Sequence, residues 1–154
     1  MCKPSDLSLG TDAENGSFNG MSHSGTLLVL RNLSPAPCRV PQRPTITFMD
    51  GAKPLDVKLS IPGARFMHPG PVLVPVVVAP GAEVTSQLRW VSGEVYSHSL
   101  CVSPTAIAVK IGDETQQAAL GAHMCGEQVT SISFEATPFA ADPTYAGWKS
   151  ANHK

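Results

Sequence analysis

Apolar residues along this chain come in short runs and two-residue alternations, each closed by a polar, Pro or Gly cluster. The strongest run is Thr26 to Leu30 (TLLVL), approached by Met-Ser-His-Ser at 21–24 and stopped by Arg31 and Asn32. Leu27, Leu28, Val29 and Leu30 place apolar side chains on both faces, which predicts a central strand over 25–32. The Pro-rich corner at 33–44 follows, with Pro35, Pro37, Pro41 and Pro44; it excludes a helix and any central ladder.

Further strands are predicted over 45–49, ended by the Asp50-Gly51 turn, and over 55–59. There Leu55, Val57 and Leu59 alternate with Asp56 and Lys58, the pattern of a half-buried antiparallel strand. Residues 72–79 are apolar but hold Pro75, so an edge or a bulge is expected. In 84–91, Val84, Ser86, Leu88 and Trp90 share an inward face, with Thr85, Gln87 and Arg89 outward and Trp90 as a core anchor. A strand region over 100–111 breaks near Ser103-Pro104. A short strand is expected at 116–120, and a last one over 129–136 with Ile132 and Phe134 inward.

A short first strand ends near Leu9. The Asn-Gly pairs at 15–16 and 19–20 favour positive φ and predict turns. Asp12 and Glu14 resemble a fragment of a calcium loop whose other ligands are absent, so this stretch reads as a solvated turn. The pattern predicts an all-β antiparallel sandwich of about seven to nine short strands. Its domain spans 1–136, and 137–154 form a tail, docked in part through Tyr145 and Trp148 or flexible.

Composition narrows the function classes. A chain of 154 residues, 42% apolar, is long enough for one domain with a true core. The net charge of -1, with no basic block, leaves no nucleic-acid footprint. The apolar stretch 72–79 is too short to span a membrane. Four cysteines (Cys2, Cys38, Cys101, Cys125) with no C-x-x-C spacing disfavour zinc ribbons and thioredoxin-like sites; their even number favours two disulfides and an oxidising compartment. No apolar segment of a signal peptide follows Met1-Cys2-Lys3-Pro4, which reads as a mature start with Met1 added. Lipidation of Cys2 would leave three thiols, an odd number that argues against it.

Several residues together carry a family resemblance. They are Cys2, GMSHSGTLLVLRN at 20–32, Cys38-Arg39-Val40-Pro41, Pro44, Val78-Ala79-Pro80-Gly81-Ala82, Leu88-Arg89-Trp90, Cys101 and Cys125. The chain resembles the secreted bacterial domain of unknown function numbered four-two-three-two, over nearly its whole length to about Phe134. The resemblance implies an immunoglobulin-like sandwich, export to the periplasm or beyond, and the disulfides Cys2–Cys38 and Cys101–Cys125. It implies no catalytic residue. Arg39-Val40-Pro41 and the long tail depart from the commoner pattern. The triplets Asn15-Gly16-Ser17 and Asn32-Leu33-Ser34 match the glycosylation sequon, and in a bacterial protein no glycan is expected there.

Three constellations bear on chemistry. Histidine stands beside or near methionine at Met21/His23, Met67/His68 and His123/Met124, all in predicted loops, and imidazole with thioether suits Cu(I). The alternative assignment is methionines filling core gaps beside incidental histidines. Ser22, His23 and Ser24 do not make a triad, and neither G-x-S-x-G nor H-E-x-x-H occurs, so an enzyme is not expected. Loop and tail aromatics, Phe66, Tyr96 and Trp148, offer a surface for an envelope protein, peptide or glycan ligand. The expected function is therefore a periplasmic or secreted, non-catalytic binding or envelope-accessory domain without a cofactor. A periplasmic Cu(I)-binding module built on the His/Met pairs is the alternative.

Overall fold

The run at 26–30 becomes the middle of the longest strand. The computed structural model describes residues 2–13, 19–20, 22–60, 74–94, 98–127 and 132–141. Among them the chain forms a single-turn 3-10 helix (Pro4–Asp6) and thirteen strands, with no α-helix. In order these are β1 (Leu7–Asp12), β2 (His23–Asn32), β3 (Cys38–Val40), β4 (Thr45–Asp50), β5 (Lys53–Pro54), β6 (Val57–Ser60) and β7 (Val76–Val78). Then come β8 (Glu83–Val91), β9 (Ser99–Val102), β10 (Ala106–Ile111), β11 (Glu114–Ala119), β12 (Met124–Glu127) and β13 (Ile132–Ala136).

One sheet has the order β1-β2-β8-β13-β6, a second β11-β10-β4-β5, and two ribbons pair β12 with β9 and β3 with β7. β2 lies between β1 and β8, antiparallel to both, and Gly25 through Leu30 are buried. An apolar residue on each face is what a strand covered on both sides requires. The two larger sheets share one core. Phe48 from β4 stands edge-on to Trp90 of β8, with ring centroids 6.3 Å apart, and to Phe134 of β13 at 4.9 Å. Leu28, Leu30, Leu88, Ile107, Val109 and Ile111 pack around this aromatic cluster. Truncating Phe48, which is fully buried, would cost about 3–5 kcal/mol.

One seam between the sheets is closed by side chains of β1 and β11. The Thr11 hydroxyl donates to the Ala119 carbonyl at 2.9 Å. The Gln116 amide donates to the carbonyls of Pro4 and, at 3.1 Å, Leu7. Tight turns use glycines. Gly51 (φ 59°) turns β4 into β5, and Gly112 (φ 61°) turns β10 into β11; both adopt the left-handed region where a Cβ is unfavourable.

Two expectations are corrected. The alternating stretch 55–59 forms β6, which pairs parallel, not antiparallel, with β13. It is an edge strand, and Leu59 is exposed rather than inward. Alternation reports a one-sided strand but not its direction. Thr85, expected to face out, is 6% exposed. The chain beyond β13 runs on beside β8: Thr85 and Ala140 exchange backbone hydrogen bonds, and Ser86 Oγ donates to the Thr137 carbonyl. Phe139, three residues past β13, is 1% exposed and belongs to the core cluster. The Pro-rich corner, as expected, enters neither a helix nor a central ladder; its three-residue strand is β3. It pairs only with β7, in a ribbon outside the large sheets, where its prolines interrupt no central ladder.

Both cross-links are present, Cys2–Cys38 and Cys101–Cys125, and no cysteine is free. No helix among the described residues is long and apolar enough to cross a membrane.

Candidate functional site

The two ends of β2 are built differently. At its far end Asn32 is fully buried, and its amide uses every bonding position. Nδ2 donates to the carbonyls of Ala36 and Val78, both at 2.9 Å, and Oδ1 accepts from Ser34 N–H (2.9 Å) and Ser34 O–H (2.8 Å). Its backbone N–H donates to Ala82 and its carbonyl accepts from Gly81. One side chain thus joins β2, the corner after it and β7. Beside it Cys2, 2% exposed, is bridged to Cys38 at the start of β3, and its N–H donates to the Arg39 carbonyl at 2.8 Å. That end is closed.

The His23 end is open. A cleft of about 410 Å³ lies there, lined by Thr11, Asn19, Ser24, Thr26, Trp90, Ser92 and the 119–123 segment among others. Its walls come from β1, β2 and β8 on one side and the link between β11 and β12 on the other. Among the described residues the lining offers hydroxyls, an amide and an imidazole, with no carboxylate, ammonium or guanidinium. Trp90 is 5% exposed, and its Nε1–H is buried without an acceptor. A buried donor left unpaired costs about 1–3 kcal/mol, so its presence at a cleft wall is a physical anomaly. Trp90 also lines a shallower cleft of about 270 Å³ with His23, Arg89 and Glu135.

His123 sits on the rim, exposed, one residue before β12. Its Nε2 lies 3.4 Å from Cys125 Sγ, and its Nδ1 lies 3.3 Å from Ser103 Oγ. Cys101 and Cys125 are direct partners across the β9–β12 ribbon. The ligand-type atoms of Cys101, His123 and Cys125 all fall within 4.8 Å of one another, with the two sulfurs joined as a disulfide.

The His/Met constellation has a different geometry from the one its spacing implied. Met124 is fully buried in the core, whereas His123 is exposed and turned toward sulfur. In extended chain, neighbours point to opposite faces, so His123 shares its side with Cys125 and not with Met124. His23 is exposed at the start of β2. Met21, Met67 and His68 lie outside the described residues, as do Phe66, Tyr96, Tyr145 and Trp148. Ser103 and the polar lining of the cleft were not singled out by sequence. Isolated hydroxyls carry no periodic signal, and only the sheet register brings Thr11, Ser24 and Ser92 together.

These features define a class: a disulfide-clamped, all-β domain with a Trp-lined cleft at one end of its central strand. The chain belongs to the family described as domain of unknown function DUF4232, whose match covers residues 2–140. No curated protein and no solved structure matches the chain.

Proposed function

We propose that this protein is an exported, non-catalytic recognition domain, an immunoglobulin-like sandwich working in the periplasm or outside the cell. It binds a small uncharged polar ligand, of which a short glycan is the best fit, in the cleft beside Trp90. The single observation that carries the reading is the 410 Å³ cleft beside Trp90, whose described lining offers hydroxyls, an amide and an imidazole. A sugar's apolar ring face would suit the indole edge of the cleft, and the surrounding hydroxyls and the Asn19 amide complement uncharged polar groups. The two disulfides support an oxidising compartment.

The chain has two tryptophans, Trp90 and Trp148. In a Trp148→Phe background, indole emission reports Trp90 alone. Titration with a panel of envelope oligosaccharides and short peptides should shift that emission saturably for a glycan. In the otherwise unsubstituted chain, Trp90→Phe should weaken binding of the same ligand by calorimetry at least tenfold. A flat response across the panel would remove the reading.

A Cu(I)-binding module is the second reading, favoured only by the closeness of His123 to sulfur. Copper titration followed by native mass spectrometry tests it, and absence of a stoichiometric metal adduct excludes it.

A further inference from the structure

We propose that Cys101–Cys125 is an exchangeable disulfide, opened by an external dithiol at Cys101, with His123 stabilising the departing Cys125 sulfur. The inference stands whether or not a glycan occupies the cleft.

Three observations carry it. Cys101 is half-buried and Cys125 is 1% exposed, so an incoming thiolate meets the Cys101 sulfur first. The imidazole of His123 is exposed and directs Nε2 at Cys125 Sγ from 3.4 Å. Ser103 Oγ, 3.3 Å from Nδ1, holds the ring in this orientation, and in the tautomer in which the hydroxyl donates, the ring proton is on Nε2 and faces the leaving group. An N–H donor beside a sulfur favours its thiolate, and a better stabilised leaving thiolate departs faster. The other cross-link lacks this device: among the described residues no side chain hydrogen-bonds the sulfur of Cys2 or Cys38.

The step balances as follows. The thiolate of a dithiol attacks Cys101 Sγ, an S–S bond forms between them, and the Cys101–Cys125 bond breaks with its electron pair going to Cys125 Sγ. His123 Nε2–H hydrogen-bonds the new thiolate, which takes its proton from solvent. The second thiol of the dithiol then attacks its own partner sulfur and releases Cys101 as thiolate. The protein disulfide gains two electrons, the dithiol is oxidised to its disulfide, and its two protons finish on Cys101 and Cys125. The substrate class is a small or protein-borne dithiol carrier in the envelope.

The test treats the folded full chain with limiting dithiothreitol, quenches by alkylation at timed intervals and maps the labelled cysteines by mass spectrometry. Cys101 and Cys125 should be labelled while Cys2 and Cys38 remain protected. His123→Ala, an exposed substitution, should slow that opening about three- to tenfold and leave Cys2–Cys38 unchanged. Glutathione in place of dithiothreitol should form its mixed disulfide on Cys101. Simultaneous labelling of all four cysteines, an unchanged rate in His123→Ala, or an adduct on Cys125 would each overturn the proposal.

Discussion

The Asn32 end and the His23 end of β2 stand about 30 Å apart along one ten-residue strand, yet they solve opposite problems. At the first, each amide hydrogen-bonding position of Asn32 is filled and the nearby cross-link belongs to the main core. At the second, a cleft replaces packing, an indole N–H goes unpaired, and the nearby cross-link has an exposed imidazole beside it. Buried polar atoms without a partner occur at both, Trp90 Nε1 at the cleft and Arg31 Nε beside Asn32, so what separates the ends is the filled Asn32 amide against an open cleft.

Removing the cross-links one at a time gives the largest expected effect. In the chain-entropy account, loops of 36 and 24 residues are worth about 3.8 and 3.4 kcal/mol, so loop length alone hardly separates them. What remains afterwards does separate them. Cys2→Ala with Cys38→Ala frees the N-terminal segment and opens the core around Cys2, whereas β9 and β12 stay paired in register without theirs. Urea unfolding should therefore show Cys2→Ala/Cys38→Ala losing about 4 kcal/mol or more, and Cys101→Ala/Cys125→Ala clearly less. A reversed ranking would break the contrast between the ends.

Next in size is Asn32→Ala. It strands the buried carbonyl of Val78 and removes the acceptor for Ser34, and should lower stability by about 2–4 kcal/mol. A loss below about 1 kcal/mol in the same assay would mean that water can replace the amide, and that this end is less closed than its contacts imply. The smallest effect belongs to the ion pair one residue before, Arg31 with Glu83 at 3.7 Å, where the arginine is 36% exposed. Glu83→Gln should change stability by less than about 1 kcal/mol and lose even that in high salt. A larger effect would make charge, rather than hydrogen-bonded packing, part of what holds the Asn32 end.

Much of the fold was legible because its main strands carry strong local patterns. β2 is apolar on both faces, β8 and β13 alternate, and the glycines at 51 and 112 stand where the backbone turns. β3, β5 and β12 were missed, since two to four residues containing Pro, Gly or Cys offer no period to detect. The direction of β6 and the burial of Thr85 depend on contacts made by distant chain, β13 and residues 137–140, which local alternation does not encode. The site was legible only in fragments. His123 was singled out, but beside Met124, because adjacency in sequence was weighed above the two-residue period of extended chain. Trp90 was placed in the core, where it is; that it also walls a cleft follows from the way β1, β8 and the 119–123 segment meet.

Asn32 has a practical consequence for anyone producing this protein. It opens an Asn-Leu-Ser triplet, and a eukaryotic secretory host attaches oligosaccharide to such triplets while the chain is still being translocated. The nitrogen that would carry the sugar is the one that must hand both its protons to Ala36 and Val78 in a space with no exposure at all. A chain decorated there has no way to close that corner, so yeast or mammalian secretion should yield misfolded material that an Asn-glycosidase cannot rescue without converting the amide to an acid.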